Sequence, residues 1–198
     1  MIIRNAVAAD APTLAEVAMM AGHGIMAMLY DGLVPGRTVA QTLVDRRILN
    51  PKSYSALHHW RIAEGEDRAC LGAINCLPQG AFMAAEPDPL LVGDRVLPVA
   101  ALGELEQLAV DSYYINMIAV FPQHRRSGAG RALVAEAERL ARQARMTRLS
   151  LCTFEADASL MSFYGSLGFT VRERRPIRPS PFFPSSGNWA LLMRDLAA

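Results

Sequence analysis

The segment Tyr113–Thr153 constrains the fold more than any other stretch of the chain. Tyr113–Val120 reads as a strand that is apolar on both faces and therefore central in a sheet. Phe121-Pro122 ends it, and a basic, glycine-containing loop leads directly into a helix expected over Gly128–Ala144. Leu133, Ala137, Leu140 and Ala144 share one face of that helix, while Glu138 and Arg142 form an i,i+4 pair outside. A strand follows at Arg148–Thr153. Strand, helix and strand in this order form a crossover, so the two strands are parallel.

The flanking sequence supplies further elements. Ile2–Val7 reads as a first strand, followed by Asp10 as an N-cap, with Pro12 harmless in the first helical turn. Leu14, Val17, Ala18 and Ala21 continue at helical spacing, Gly22 and Gly24 interrupt, and the pattern resumes through Met26, Leu29 and Tyr30. Another helix is expected from Thr38 to Leu49, stopped by Asn50-Pro51. Strands near Ser55–Ala63 and Ala69–Leu77 flank a turn at Gly65-Glu66-Asp67. From Pro78 to Pro98 periodicity is lost among four prolines, which reads as an irregular insertion or lid. A short acidic stretch, Gly103–Ser112, follows it. After Thr153 come a short helix at Ala158–Leu167 with Gly168 as its C′ residue, a strand at Phe169–Arg174, a proline-rich loop to Pro184 and a last strand at Asn188–Arg194. The 198 residues suit a single domain spanning 1–198, with 78–98 as the insertion.

Composition narrows the function classes. Twenty Lys and Arg against nineteen Asp and Glu give a net charge of +1, which offers no bulk attraction to nucleic acid or to a membrane surface. No apolar run approaches the roughly 20 residues that span a bilayer. Three cysteines, Cys70, Cys76 and Cys152, have no metal-ligand spacing and cannot all pair. The first residues lack the layout of a signal peptide. The expectation is a reduced cytoplasmic protein without a metal.

The loop before the long helix suits an anion. Unpaired amides at a helix N-terminus point outward, the dipole adds about half a positive charge, and glycine lets a phosphate approach the backbone. Arg125, Arg126 and Arg131 add formal charge. The loop has no lysine, so it is not a P-loop, and Leu133 stands where a dinucleotide fingerprint needs its third glycine. The alternative is a glycine-opened helix with solvated arginines.

Arg125-Arg126-Ser127-Gly128-Ala129-Gly130 after Ala119-Val120-Phe121-Pro122 resembles the [QR]-x-x-G-x-[GA] pattern of the GCN5-related N-acetyltransferase (GNAT) superfamily. Phe163-Tyr164-Gly165-Ser166-Leu167-Gly168-Phe169 is similar to a second feature of that family, an aromatic-Tyr pair followed by Gly-Phe. Ile3-Arg4 and Asp10 look like its first strand and helix. The resemblance is carried by Tyr113–Arg174, is weak over Met1–Met20, and is absent between Ala21 and Val110. It implies an α/β fold built on a mixed, mostly antiparallel, splayed sheet flanked by helices. It also implies acyl transfer from acetyl-CoA, or another acyl-CoA, to a primary amine on a small molecule or peptide. Amine and thioester would be held together, with no covalent enzyme intermediate. A homodimer is compatible with the family. The alternatives are a non-catalytic acyl-CoA-binding or sensing module and O-acyl transfer.

By that resemblance, loop amides from Arg126, Ser127, Gly128, Ala129, Gly130 and Arg131 hold the pyrophosphate, with Arg125 alongside. Backbone groups of Ile118 and Val120, with Ala119 between them, pair with the pantetheine as an added strand. A bulge in this strand splays it from Arg148–Thr153 in the family and frees an amide near Ile118 for the oxyanion. Nothing in the sequence itself marks a bulge. Tyr164 is the candidate acid for the departing thiolate, with core packing as the alternative. Of Phe163 and Tyr164, Phe163 is expected to be the buried one.

An amine of pKa about 10.4 is neutral in only about one molecule in 2,500 at pH 7, roughly 4.6 kcal/mol to overcome. Glu106, bracketed by Leu105 and Leu108, is the candidate base, and Glu104 is the alternative. Together with Asp111 they would form an acidic rim suited to a cationic amine. Asn116 is placed to orient substrate or water, or else to satisfy backbone groups. Two positions depart from the family pattern: Asp157 stands where Asn is common and Leu160 where Ala is common, although Asp157 still caps a helix. His58 and His59 are expected on opposite faces of a strand, and Met19, Met20, Met26 and Met28 as adaptable packing near a substrate opening. The acceptor would lie between Ala21–Asn50, Pro78–Pro98 and Pro176–Pro184.

Overall fold

The computed structural model describes residues 1–178 and 187–196. Seven strands form one sheet: β1 (Ile2–Asn5), β2 (Trp60–Glu64), β3 (Cys70–Pro78), β4 (Tyr113–Val120), β5 (Arg148–Phe154), β6 (Thr170–Pro176) and β7 (Asn188–Asp195), in the order β1-β2-β3-β4-β5-β7-β6. Every pair is antiparallel except β4 and β5, whose parallel pairing covers only Tyr113–Ile115 against Leu149–Leu151. Beyond Ile115 the two strands separate. The expected splayed, mostly antiparallel sheet is present.

Helices cover both faces. On one lie α1 (Ala11–Ala21), α2 (Ile25–Tyr30), α3 (Val39–Leu43), α4 (Gln79–Ala84) and α5 (Ala100–Leu108). Their core joins Leu14, Val17 and Leu105 to Trp60, Tyr114 and Met117. On the other lie α6 (Ala129–Gln143) and α7 (Ala158–Gly165), whose core joins Leu133 and Ala137 to Ile115, Leu149 and Tyr164. The α6 stripe is Ala129, Leu133, Val134, Ala137 and Ala141; Leu140 is half-buried, and Ala144 ends the helix in solvent.

Several expectations shift. Asp10 does not cap α1 with its side chain; its carboxylate accepts the Val7 amide at 2.8 Å and pairs with Arg4, tying the chain end to β1. Thr38 and Gln41 cap α3 reciprocally, at 3.2 and 2.9 Å, and the helix then widens into a π turn over Val44–Ile48. His58 and His59 lie in a 3-10 turn before β2 and not on two faces of a strand, with their rings 3.9 Å apart. The segment 78–98 is not wholly irregular, since α4 and two 3-10 turns (93–95 and 97–99) organise it. The acidic stretch after it belongs to α5.

Gly72 sets how tightly β3 and β4 close. A Cβ there would stand 2.4 Å from the Ala119 carbonyl oxygen and 2.8 Å from Val120 Cα, both backbone atoms that cannot rotate away. Gly72→Ala is expected to cost about 2–3 kcal/mol, or roughly 4–12 °C in Tm. An unchanged melting temperature would contradict this packing.

Candidate functional site

The register of β3 against β4 shifts between Asn75 and Cys76, because Asn75 faces Met117 while Cys76 faces Ile115. Asn116 is the extra residue, so β4 carries a bulge at the point where it leaves β5. A bulge breaks the alternation of side chains. Tyr114, Asn116 and Met117 all line the α2-side cavity, while Ile118 and Val120 pack toward α6.

Past the bulge, Phe121 N donates to Leu71 O at 3.0 Å. In an antiparallel ladder, hydrogen-bonded pairs alternate with pairs whose backbone groups point outward. Counting back from Phe121, Ala119 and Met117 face β3, so the N–H and C=O groups of Ile118 and Val120 point away, toward the side vacated by β5. The fork therefore exposes a short strand edge.

The loop leading into α6 completes one side of the fork. Arg126 has φ 64° and Gly128 φ 88°, left-handed values of the kind that turn backbone N–H groups into a concavity. For Gly128 that conformation is free of steric penalty; for Arg126 it is uncommon. Gly128 is the N-cap of α6 and offers no side chain, so the helix's opening amides lack a side-chain cap. Ser127 Oγ accepts the Ala129 amide at 3.4 Å. Arg125, Arg126 and Arg131 are exposed, and Arg131 donates to Ser166 Oγ at 3.2 Å. Among the described residues none of these three arginines forms an ion pair. Gly130 is close to Phe163, whose Cζ would lie 3.3 Å from a Cβ added there. A diphosphate fits this cradle: open amides, a helix dipole and uncompensated guanidinium groups converge on it.

On the other face a cavity of about 340 Å³ opens at the fork between α2, α5, β4 and β5. Ile25, Met26 and Leu29 form one wall and Val99 and Leu102 another. Glu106 reaches in from α5. Leu105, fully buried beside it, anchors the helix, and Gln79 Nε2 donates to the Glu106 carbonyl at 3.1 Å. The Tyr114 hydroxyl donates to Glu106 Oε1 at 3.0 Å. Burial pushes the Glu106 carboxyl up to about 7, against the opposing pull of Tyr114 and of the Arg47 charge. Arg47 is itself buried, its guanidinium 3.9 Å over the Tyr54 ring. Asn116 Nδ2 donates to Asn75 Oδ1 at 2.8 Å and to Ser55 Oγ at 3.4 Å, and its side chain borders the cavity.

The structure separates the two candidate bases. Glu106 lines the cavity, whereas Glu104 is exposed and pairs with Arg175 at 3.3 Å. Asp111 sits in an exposed turn, so the expected acidic rim does not form around the cavity. Tyr164, not Phe163, is the buried member of its pair at 5% exposure, because Phe163 turns to cover Gly130. Tyr164 packs against Phe169, and burial holds its hydroxyl well above the ordinary tyrosine range. It belongs to the α6-side core, opposite the Glu106 cavity, so the two do not share one chamber. Asp157 caps α7 as expected, accepting the Leu160 amide at 2.9 Å.

Tyr114, Asn75, Arg47 and Cys152 were not anticipated at the site. Tyr114 had one usable signal, its position two residues before Asn116 and hence on the same strand face. Cys152 lines the cavity beside the Tyr114 hydroxyl, and burial pushes its thiol far up, so it stays protonated and weakly nucleophilic. Of the four methionines expected near a substrate opening, Met26 lines the cavity, whereas Met19, Met20 and Met28 do not. Beyond Arg178, the loop expected over Pro176–Pro184 lies outside the described residues. Among the described residues no helix is long and apolar enough to cross a membrane.

The profile of a family described as the acetyltransferase (GNAT) family matches residues 45–169. No curated protein matches the sequence. Solved structures with a similar fold include one described as an acetyltransferase, 14% identical with a TM-score of 0.70 over all of both chains. An N-acetyltransferase from Staphylococcus aureus Mu50 is 16% identical with a TM-score of 0.64, over 98% of this chain and 100% of that one. A GCN5-related N-acetyltransferase from Kribbella flavida is 19% identical with a TM-score of 0.61, over 98% and 97%.

Proposed function

This chain belongs to the acetyltransferase (GNAT) family, and from that premise we propose that it moves an acetyl group from acetyl-CoA to a primary amine by direct attack, with both substrates held at once. The observation that carries this reading is the fork. An open strand edge at Ile118 and Val120 lies between a cationic amide cradle on one face of the sheet and a buried carboxylate on the other.

Bound acetyl-CoA supplies a thioester, an acyl group already activated for transfer. The amides from Arg126 through Ser127, Gly128, Ala129, Gly130 and Arg131 hold its diphosphate, with Arg125 flanking. Ile118 and Val120 offer backbone groups to the pantetheine across Ala119, as a partner strand would. Glu106, in its ionised form, accepts a proton from the amine, and its raised pKa matches a base working near neutrality. On this reading Tyr164, kept protonated by burial, donates to the departing sulfur from the α6 side of the sheet, while Glu106 works from the α2 side. The balance is simple: an N–C bond forms and the C–S bond breaks with its electron pair going to sulfur. Of the two protons the ammonium loses, one goes to Glu106 and on to solvent, the other replaces the one Tyr164 gives to sulfur, and CoA leaves as the thiol. The protonated state of Cys152 favours this direct route over a covalent acyl-cysteine.

The test is calorimetric titration with CoA alongside an assay of free thiol released from acetyl-CoA by a panel of amines. We expect CoA affinity that weakens as NaCl is raised from 50 to 500 mM, and amine-dependent thiol release. A purified, folded chain with no affinity for CoA would remove the assignment.

A further inference from the structure

The acceptor cavity is chemically lopsided. Among the described residues lining it, Glu106 is the only carboxylate, and no lysine or arginine is present. Its walls are aliphatic at α2 and α5. Part of its lining is aromatic: Phe154 lies against Trp189 with ring centroids 4.1 Å apart and a tilt of 34°, and His23 meets the Phe154 ring edge-on at 5.2 Å. The volume, about 340 Å³, is at the small end of the roughly 300–1,000 Å³ spanned by small-molecule sites.

We propose that the acceptor is a small primary amine with one positive charge on an apolar body the size of an aromatic ring. This deepens the transferase assignment and rests on it. The ammonium is drawn to Glu106, which relieves it of a proton, while the body replaces water against Phe154, Trp189 and the aliphatic walls. A polyamine or aminosugar would bring further ammonium groups against Val99, Leu102 and Ile25, with no carboxylate to receive them. A free amino acid would bring a carboxylate to a wall that, among the described residues, holds no lysine or arginine, since the nearby Arg47 is stacked over Tyr54 and does not line the space. Charge bookkeeping and shape thus select the same class.

The experiment compares kcat/KM for thiol release with 2-phenylethylamine, ethylamine, spermidine, phenylalanine and a tetrapeptide with a free N-terminal alanine. Burying the ring is expected to give 2-phenylethylamine an advantage of about 10–100-fold over ethylamine, and a larger one over the other three. V99E, which adds a second carboxylate to the wall, is expected to narrow the gap between 2-phenylethylamine and 1,4-diaminobutane at least roughly tenfold. The wild-type ratios decide the matter whether or not V99E folds. Preference for spermidine, phenylalanine or the peptide overturns the acceptor class and leaves the transferase assignment standing. Thiol release with none of the amines, from protein that binds CoA, overturns both.

Discussion

Glu106→Gln is expected to lower kcat/KM by about 10²–10⁴-fold while leaving CoA affinity and the fold intact. The amide is nearly the same shape and still accepts from the Tyr114 hydroxyl, so the α5 contact to β4 survives. What is lost is the group that takes the amine proton. The wild-type pH–rate profile should carry a limb near pH 7, because activity requires the ionised carboxylate and rises as the proton leaves. In E106Q that limb disappears. In Y114F it moves to higher pH, since the lost hydrogen bond favoured the charged form. Stability gives an independent readout. Between about pH 4.5 and 7 the folded protein holds a proton that the unfolded chain has released, so burying Glu106 destabilises the protein increasingly as pH rises through that window. E106Q should therefore melt above wild type at pH 8, with the difference fading by pH 5. Equal activity in E106Q would return the search for a base to water.

Gly130→Asp is expected to weaken CoA binding by about 100-fold with little change in melting temperature. An added Cβ meets the movable ring of Phe163, not backbone, and a carboxylate in the first turn of α6 suits the helix dipole. The same carboxylate opposes the diphosphate: one unit charge at about 6 Å and an effective dielectric of about 20 costs roughly 3 kcal/mol. Gly130→Ala separates bulk from charge and should lose far less. Calorimetry in 50 mM and 500 mM NaCl checks the electrostatic origin, because the difference between Asp and Ala should shrink with salt. Equal CoA affinity for the Asp and Ala variants would place the diphosphate elsewhere.

The loop and helix start proposed for the donor were legible because their chemistry is local. A strand ending at Val120, a glycine opening a helix and three arginines within seven residues are all written in consecutive positions, and the crossover to Arg148 follows from their order. The acceptor half was not. The bulge at Asn116 depends on how β3 registers against β4, and no residue within β4 marks it. Glu106 could be named from its apolar neighbours, yet its separation from Glu104 depended on which face α5 turned inward and on Arg175 drawing Glu104 outward. The exchange of Phe163 and Tyr164 has a similar cause: the small surface of Gly130 invites a ring, and Phe163 is placed to provide it. Cys152 belongs to a plain apolar strand in the sequence and reaches the cavity only because β5 peels from β4.

Placing the carboxylate chamber and the anion cradle on opposite sides of one sheet has a kinetic consequence. If coenzyme and acceptor bind as proposed, each approaches from its own side of the sheet, and the acetylated product leaves on the α2 side without crossing the coenzyme beside α6. A single-mouthed pocket would impose a queue; a sheet parted between two strands leaves room for two approaches.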